Sequence, residues 1–543
     1  MPRAVRLLVG LALASSAALP GTLAAQAEFA VPVRPGQLRL DITPVWLDYD
    51  HYFDPSSPGT LVPLGAAYQS DSFGVAALPF LAPNQAQIRT TSGLGTFTLD
   101  LGATQVALTK SIRTIPIGFE LGLTQRLAVG LSVPIVHSRV DVGFRADSTW
   151  PGNVSWNPGY FSPGLDSAFR SQMGAALAAL QAQAASGPAA LRAQAQALLA
   201  TLQPFLAVSA APLLPNARSG AAAGIATRLD SAEAAYAQLS AQYAGSGITL
   251  PTLTDGFVLP DSASYMTRDS LEQLFNDPQL PMQSDTFGTV VRTGLGDITA
   301  HATYQLADGP HYRGQLLLTT RFPTGTAPSA YEIADLGTGT HEFGYDLALS
   351  SDVLLGDRFL VHAVARAGGA ASDELPMRVT PPDLPFAPIA QVATIRRTPG
   401  SYVGLDVDPV WMLDDAFSVR ILYGFFSQGA TTHTYVTPGD SARVGLPASV
   451  LDEGTAMRWM RIGAGITFST EARYEKGLAS LPYTLTVGYA NTVWGRGGLV
   501  PQLSEFTMTL RAYINLFGRP MRAAPAAPAG SAAPATPAAP ATP

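Results

Sequence analysis

Eight arginines recur at alternate positions of otherwise apolar segments: Arg39, Arg139, Arg313, Arg321, Arg366, Arg420, Arg461 and Arg511. Eight carboxylates share their phase, namely Asp41, Glu120, Asp141, Asp297, Asp346, Asp352, Asp406 and Asp408, and so do His137, His301 and His362. A guanidinium is a planar fork that suits carboxylates, so the chemistry on offer is ion pairing along one face. That face is either a selectivity ladder beside a polar path or a set of pairs that neutralise each other and fill an interior. Covalent chemistry is poorly supplied. His137 and Ser138 with Asp141 have the residue types of a hydrolase triad, yet neighbours in a strand point to opposite faces and do not meet. Gly294-Leu295-Gly296 lacks the strand, turn and helix around a dinucleotide loop. The histidines fall at no metal-ligand spacing, and a chain without Cys has neither thiolate chemistry nor disulfides. No catalytic residue, metal or cofactor is expected.

The elements that carry these residues read as strands. Side chains of a strand alternate between faces. Ile298, Ala300, Ala302, Tyr304 and Leu306 fall on one face, and Asp297, Thr299, His301, Thr303 and Gln305 on the other. After an Asp308-Gly309-Pro310 turn, Leu316, Leu318 and Phe322 oppose Arg313, Gln315, Thr319 and Arg321. The same division, apolar and aromatic against polar and charged, returns in hairpin after hairpin to Leu516. It predicts an all-β fold, a transmembrane antiparallel β-barrel of about 12 strands with lipid outside and a polar lumen. The stretch from Phe97 to Leu123 is too long for one strand, and this region leaves a count of about 14 as the alternative. Near Pro134 the apolar phase changes to Val140, Val142 and Phe144, which predicts a bulge. Pro55 to Gly95 reads as a loop. Trp46, Tyr345, Trp411, Trp459 and Trp494 at strand ends read as interface girdles.

Five regions follow. Residues 1–27 read as a signal peptide, with Arg3 and Arg6 before a short apolar run and an Ala25-Gln26-Ala27 cleavage site. Residues 28–146 carry the N-terminal barrel strands and 286–518 the C-terminal ones. Between them, 147–285 switches to helical period (Phe169, Met173, Leu177, Leu180; Leu198, Leu202, Phe205; Asp230 to Tyr243) and forms an insertion in one extracellular loop. Residues 519–543 are Ala/Pro-rich and build no core. A net charge of −7 with 13% charged residues argues against nucleic acid as a partner, since that needs a basic surface. The partners expected instead are outer-membrane lipid and a small solute.

Three glycine-rich motifs carry a resemblance. Gly294-Leu295-Gly296-Asp297 with Tyr304 after it, Arg321-Phe322-Pro323-Thr324-Gly325 and Leu336-Gly337-Thr338-Gly339 resemble an outer-membrane family associated with the meta pathway of phenol degradation. The run from Gly122 to Leu127 leading to Pro134 is similar to that family's strand-turn-strand. The family is named for transport of hydrophobic compounds and is loosely akin to long-chain fatty-acid channels. The resemblance implies an outer-membrane channel or transporter for a small hydrophobic or amphipathic solute, and it brings no catalytic residues. The alternative is a structural or adhesive barrel with a closed lumen and a partner-binding helical cap. An outer-membrane hydrolase comes third.

Overall fold

The computed structural model describes residues 33–517 apart from 58, 255, 262–263, 285–287, 333 and 382–385, with side chains described for all but 146–151 and 161. The expected signal peptide and the Ala/Pro tail lie outside the described residues.

Twelve antiparallel wall strands close on themselves. In chain order they are β1 (Gln37–Ile42 and Val45–Tyr49), β2 (Gly102–Gly122), β3 (Leu127–Pro151) and β4 (Val290–Leu295 and Thr299–Asp308). There follow β5 (Tyr312–Arg321), β6 (Gly344–Leu354), β7 (Phe359–Ala370), β8 (Tyr402–Met412), β9 (Phe417–Gln428), β10 (Met457–Ser469), β11 (Tyr483–Arg496) and β12 (Ser504–Asn515). Each pairs with the next, and β12 pairs back onto β1 through Gln37–Asn515 to Asp48–Ser504. Closure leaves no open edge, which is what a strand wall in hydrocarbon requires.

The outward face is apolar and exposed, with Ile115, Phe119, Leu131, Leu318, Leu347, Leu405, Ile421, Ile462, Ile466, Val487 and Leu510 among its residues. At the short-turn end Phe359 meets Trp411, and Phe417, Phe468 and Tyr483 continue the aromatic row across the next strands. At the other end Trp46 packs on Phe506 and Phe322 on Phe343. Two aromatic girdles around an apolar band are those of a transmembrane barrel of the outer-membrane type. Trp459 is not part of them: it faces inward and stacks on Phe426 at 5.2 Å, as the inward phase it shares with Arg461 dictates.

The stretch read as too long for one strand holds a single one, so the wall keeps the expected count of twelve. β2 runs 21 residues and β3 runs 25, so the pair stands well above its neighbours. The expected bulge at Pro134 is absent, and Pro134 faces Pro116 in unbroken register. What changes there is the surroundings. Above the lipid band the outer face of β3 meets water, so His137, Arg139 and Asp141 stay on the odd-numbered, outward phase of Val133 and Ile135. The inner face meets packed protein instead, so Val140, Val142 and Phe144 are buried. Irregularities occur elsewhere: at Gln305–Ala307, beside Met460–Arg461, and at a full break in β4 over residues 296–298.

Short turns (123–126, 309–311, 355–358, 413–416) and the helix-bearing connection 470–482 lie at one end, and the longest connections lie at the other. The longest connection carries α2 (Ser167–Ser186), α3 (Ala189–Ser209), α4 (Gly220–Gly245) and α5 (Arg268–Asn276); α1 (Ala82–Ser92) lies in the stretch expected to be all loop. Phe169, Met173, Leu202, Phe205, Ile225 and Tyr243 share one core with Val106, Leu108, Val140, Val142 and Phe144, so the helices rest on the inner face of the tall β2–β3 hairpin. Three short strands, Asp373–Arg378, Val392–Thr398 and Thr432–Tyr435, form a separate sheet at the same end.

Candidate functional site

The inward phase of the wall places the charged residues in connected groups. Asp41 accepts from Arg39 at 2.9 Å and from Arg511 at 2.8 Å, Arg39 also pairs with Glu120, and His301 stands 3.6 Å from Glu120. Further round, Asp406 takes Arg366 at 2.7 Å and Arg461 at 3.1 Å, and Arg461 reaches on to Glu505 at 3.1 Å. His362 pairs with Asp352 at 2.6 Å, Arg420 lies 3.8 Å from Asp408, and Asp346 accepts from the Tyr402 hydroxyl at 3.0 Å. Arg321 meets Glu342 at 3.5 Å near the long-loop end.

Glycines decide how these side chains lie. Residues directly opposite in an antiparallel pair share a face, and four of the arginines face a glycine: Arg321 opposite Gly344, Arg366 opposite Gly404, Arg461 opposite Gly424 and Arg420 opposite Gly465. A Cβ on any of these glycines would come within about 3.1 Å of its arginine. Each guanidinium therefore lies flat in a recess of the wall and reaches sideways over a strand. The ion pairs run round the circumference rather than across the lumen.

Three expected members of the ladder lie elsewhere. Arg139 and Asp141 pair with each other at 2.6 Å on the outer face of β3, above the apolar band. Arg313 keeps the inward phase but stands at the short-turn mouth, 3.6 Å from Asp308 and half exposed. His137 is outside as well, bonded to Thr293 at 2.7 Å, whereas Ser138 is inside and donates to the Gly337 carbonyl at 2.6 Å. A triad at these residues is not assembled.

Asp297 turns inward at the break in β4, and there the three glycine-rich motifs meet. Its carboxylate accepts from the Gly325 N–H at 2.9 Å, the Thr340 N–H at 2.7 Å and the Thr340 hydroxyl at 2.9 Å. Thr324 bridges the broken strand, donating to the Gly296 carbonyl at 2.7 Å and accepting from the Ile298 N–H at 2.9 Å. A Cβ on Gly325 would stand 2.6 Å from the Gly339 Cα, and one on Gly339 would stand 2.5 Å from the Asp297 carboxylate. The loop 322–343 is thereby folded into the barrel mouth. Arg397, 2% exposed, holds its far side through Glu342 at 2.9 Å and the Thr340 carbonyl at 2.7 Å.

Between this loop and the wall lies a cavity of about 380 Å³. Leu47, Tyr49, Leu64, Ile112, Val136, Leu317 and Leu336 give it apolar sides, and Lys110, His301, Arg321, Glu342 and Arg366 give it polar ones. Among the described residues the lining contains none between 139 and 296, so the described helices stand beside the cavity and do not fill it. Sequence reading missed Glu505, which the phase of Thr507, Thr509 and Arg511 would have found. It missed Lys110 too, a cation at the phase of Leu108 and Ile112. Glu342, Arg397 and Tyr402 come from long connections or strand starts, where phase gives no signal.

No family model matches the chain, and no curated protein matches it. Among solved structures it is similar to an outer membrane channel from Pseudomonas putida F1, with a TM-score of 0.41 and 10% identity over 90% of this chain and 99% of that one. It is also similar to the transport unit of the autotransporter AIDA-I from Escherichia coli, with a TM-score of 0.29 and 6% identity over 90% and 94%. The CymD monoaromatic hydrocarbon channel gives a TM-score of 0.27 and 8% identity over 88% of each chain. With identities and scores this low, the barrel and its site stand on the strand order and contacts of this chain.

Proposed function

We propose that this barrel is an outer-membrane channel or transporter that passes a small hydrophobic or amphipathic solute without chemically changing it. The observation that carries the reading is the interior. Polar pairs lie recessed into the wall, and a cavity with both apolar and polar sides lies under an inward-folded loop at the mouth. A filled, purely structural barrel has no use for glycines that hold its arginines to the wall. Because bacterial barrels keep their turns short on the periplasmic side, the cavity belongs to the extracellular end and the helices lie outside. Membership of the family associated with the phenol meta pathway is part of this proposal, supported by the meeting of its three motifs at Asp297. Liposomes containing the purified barrel should swell in small uncharged solutes and take up an amphipathic one faster than empty liposomes. No swelling and no uptake would favour the closed structural barrel.

A further inference from the structure

Lys110 and Lys476 are the chain's lysines. Lys476 is exposed and pairs with Asp415. Lys110 is the opposite case. It sits on the inward phase of β2 between Leu108 and Ile112, with Tyr49 opposite on β1 and Val140 opposite on β3. It is 2% exposed and lines the cavity. Its ammonium lies 5.9 Å from the centre of the Tyr49 ring, and among the described residues no carboxylate comes within ion-pair distance of it. The arginines on the same cavity are all paired: Arg39 with Asp41, Arg321 and Arg397 with Glu342, Arg366 with Asp406. The cavity carboxylate Asp335 is likewise engaged, by Arg292 at 3.3 Å and the N–H groups of Ser329 and Gly337.

A buried ammonium without a counter-charge is costly, and a residue there only to fill the wall would be apolar like its neighbours. We infer that the missing counter-charge arrives with the solute: the cavity takes an amphipathic monocarboxylate, its head on Lys110 and its body against Leu47, Tyr49, Leu64 and Val136. A neutral analogue would gain the same apolar contacts but leave the ammonium unpaired. A cationic one would meet Lys110 as a like charge and find the carboxylates already engaged. The inference rests on the channel reading and specifies the solute that the channel prefers.

The test uses three probes with one body and different heads: 4-butylbenzoate, 4-butylbenzyl alcohol and 4-butylbenzylammonium. Binding to the full-length barrel is measured by calorimetry in neutral detergent near pH 6, where a benzoate is ionised. The benzoate should bind on the order of tenfold tighter than the alcohol, as a hydrogen bond between charged groups warrants, and the ammonium should bind weakest. Lys110→Met should bind benzoate and alcohol alike, and Lys110→Arg should keep the preference. Partition into detergent is common to all the proteins and drops out of the comparison. A wild-type barrel with no preference overturns the inference, and so does a heat-modifiable Lys110→Met barrel that retains it. Should Lys110→Met fail to fold, the preference among heads in wild type and Lys110→Arg decides. If the alcohol is bound and carried without preference, only this inference falls. If none of the three is bound or carried, the channel reading falls as well.

Discussion

Arg461 lies across Gly424: the Cβ that glycine lacks would stand 2.7 Å from the arginine Nε and 2.8 Å from an oxygen of Asp406, its partner two strands away. A side chain at position 424 must therefore lift Arg461 off the wall. Gly424→Val is expected to destabilise the barrel by about 2 kcal/mol through overpacking and to narrow the path. Urea unfolding in detergent and single-channel conductance should both fall. Unchanged values for both would show that Arg461 does not rest on the wall.

Asp297 holds the inward loop by three hydrogen bonds to one carboxylate. Asp297→Ala leaves three donors without an acceptor and is expected to cost about 3 kcal/mol locally. Much of that should appear as loop release rather than barrel unfolding, because the wall strands keep their own ladders. Limited proteolysis within 322–343 should quicken while the heat-modifiable band persists. If the loop stays as resistant as before, Asp297 is not what pins it.

This junction shows why the barrel was legible in the sequence and the site only in part. Phase alone sorts Ile298 to Leu306 from Asp297 to Gln305, because one face meets lipid all the way round the wall. The same rule misplaced Arg139 and Asp141. Above the lipid band the outer face is wet and the inner face packs on helices, so polarity reverses while phase does not. The wall glycines were invisible for another reason: what Gly424 does depends on which residue sits opposite it, and register cannot be counted across a long connection. The recess under Arg461 exists only once β9 and β10 are paired.

Arg321 tests the ladder electrostatically. It lines the cavity and faces Glu342 at 3.5 Å, with Gly344 opposite. Arg321→Asp puts a like charge beside Glu342 and removes a cation from the mouth. If the arginine borders the conducting path, planar-bilayer measurements should show selectivity shifting toward cations. If it serves only to neutralise Glu342, folding yield should drop while the selectivity of the folded fraction stays put, since a broken buried pair costs about 3 kcal/mol or more.

Acid should loosen the small sheet at the long-loop end. His433 is buried in it, and burial holds its pKa below the ordinary 6.5 although Asp452 accepts from the ring at 2.9 Å. Asp373 acts in the same direction as Asp452 and Arg397 in the direction of burial. A histidine whose folded pKa is depressed binds its proton more readily when unfolded. The stability it contributes is complete above 6.5 and is lost as pH falls through that value toward the folded pKa. Amide protection in Val392–Thr398, referred to the barrel strands, should therefore decline from about pH 7 to about pH 5. His433→Gln should flatten that decline; an unaltered profile in the variant would assign it to another group.

The helical connection offers a test of the orientation of the barrel. It leaves the wall at the top of β3 and returns at β4, at the end opposite the short turns. With short turns in the periplasm, the helices are expected to face the outside of an intact cell. Arg218 is exposed in the link between α3 and α4, whereas Arg192 lies in the first turn of α3 with its Nε donating to the Gly187 carbonyl at 2.6 Å. Trypsin added to intact cells should cut first after Arg218. The nick should not release the helices, because they share a core with Val106, Val140 and Phe144 on the wall strands. The cut protein should stay together until denatured and keep its heat shift. Resistance in whole cells, followed by cleavage once the periplasm is opened, would reverse the orientation and place the cavity on the inner side.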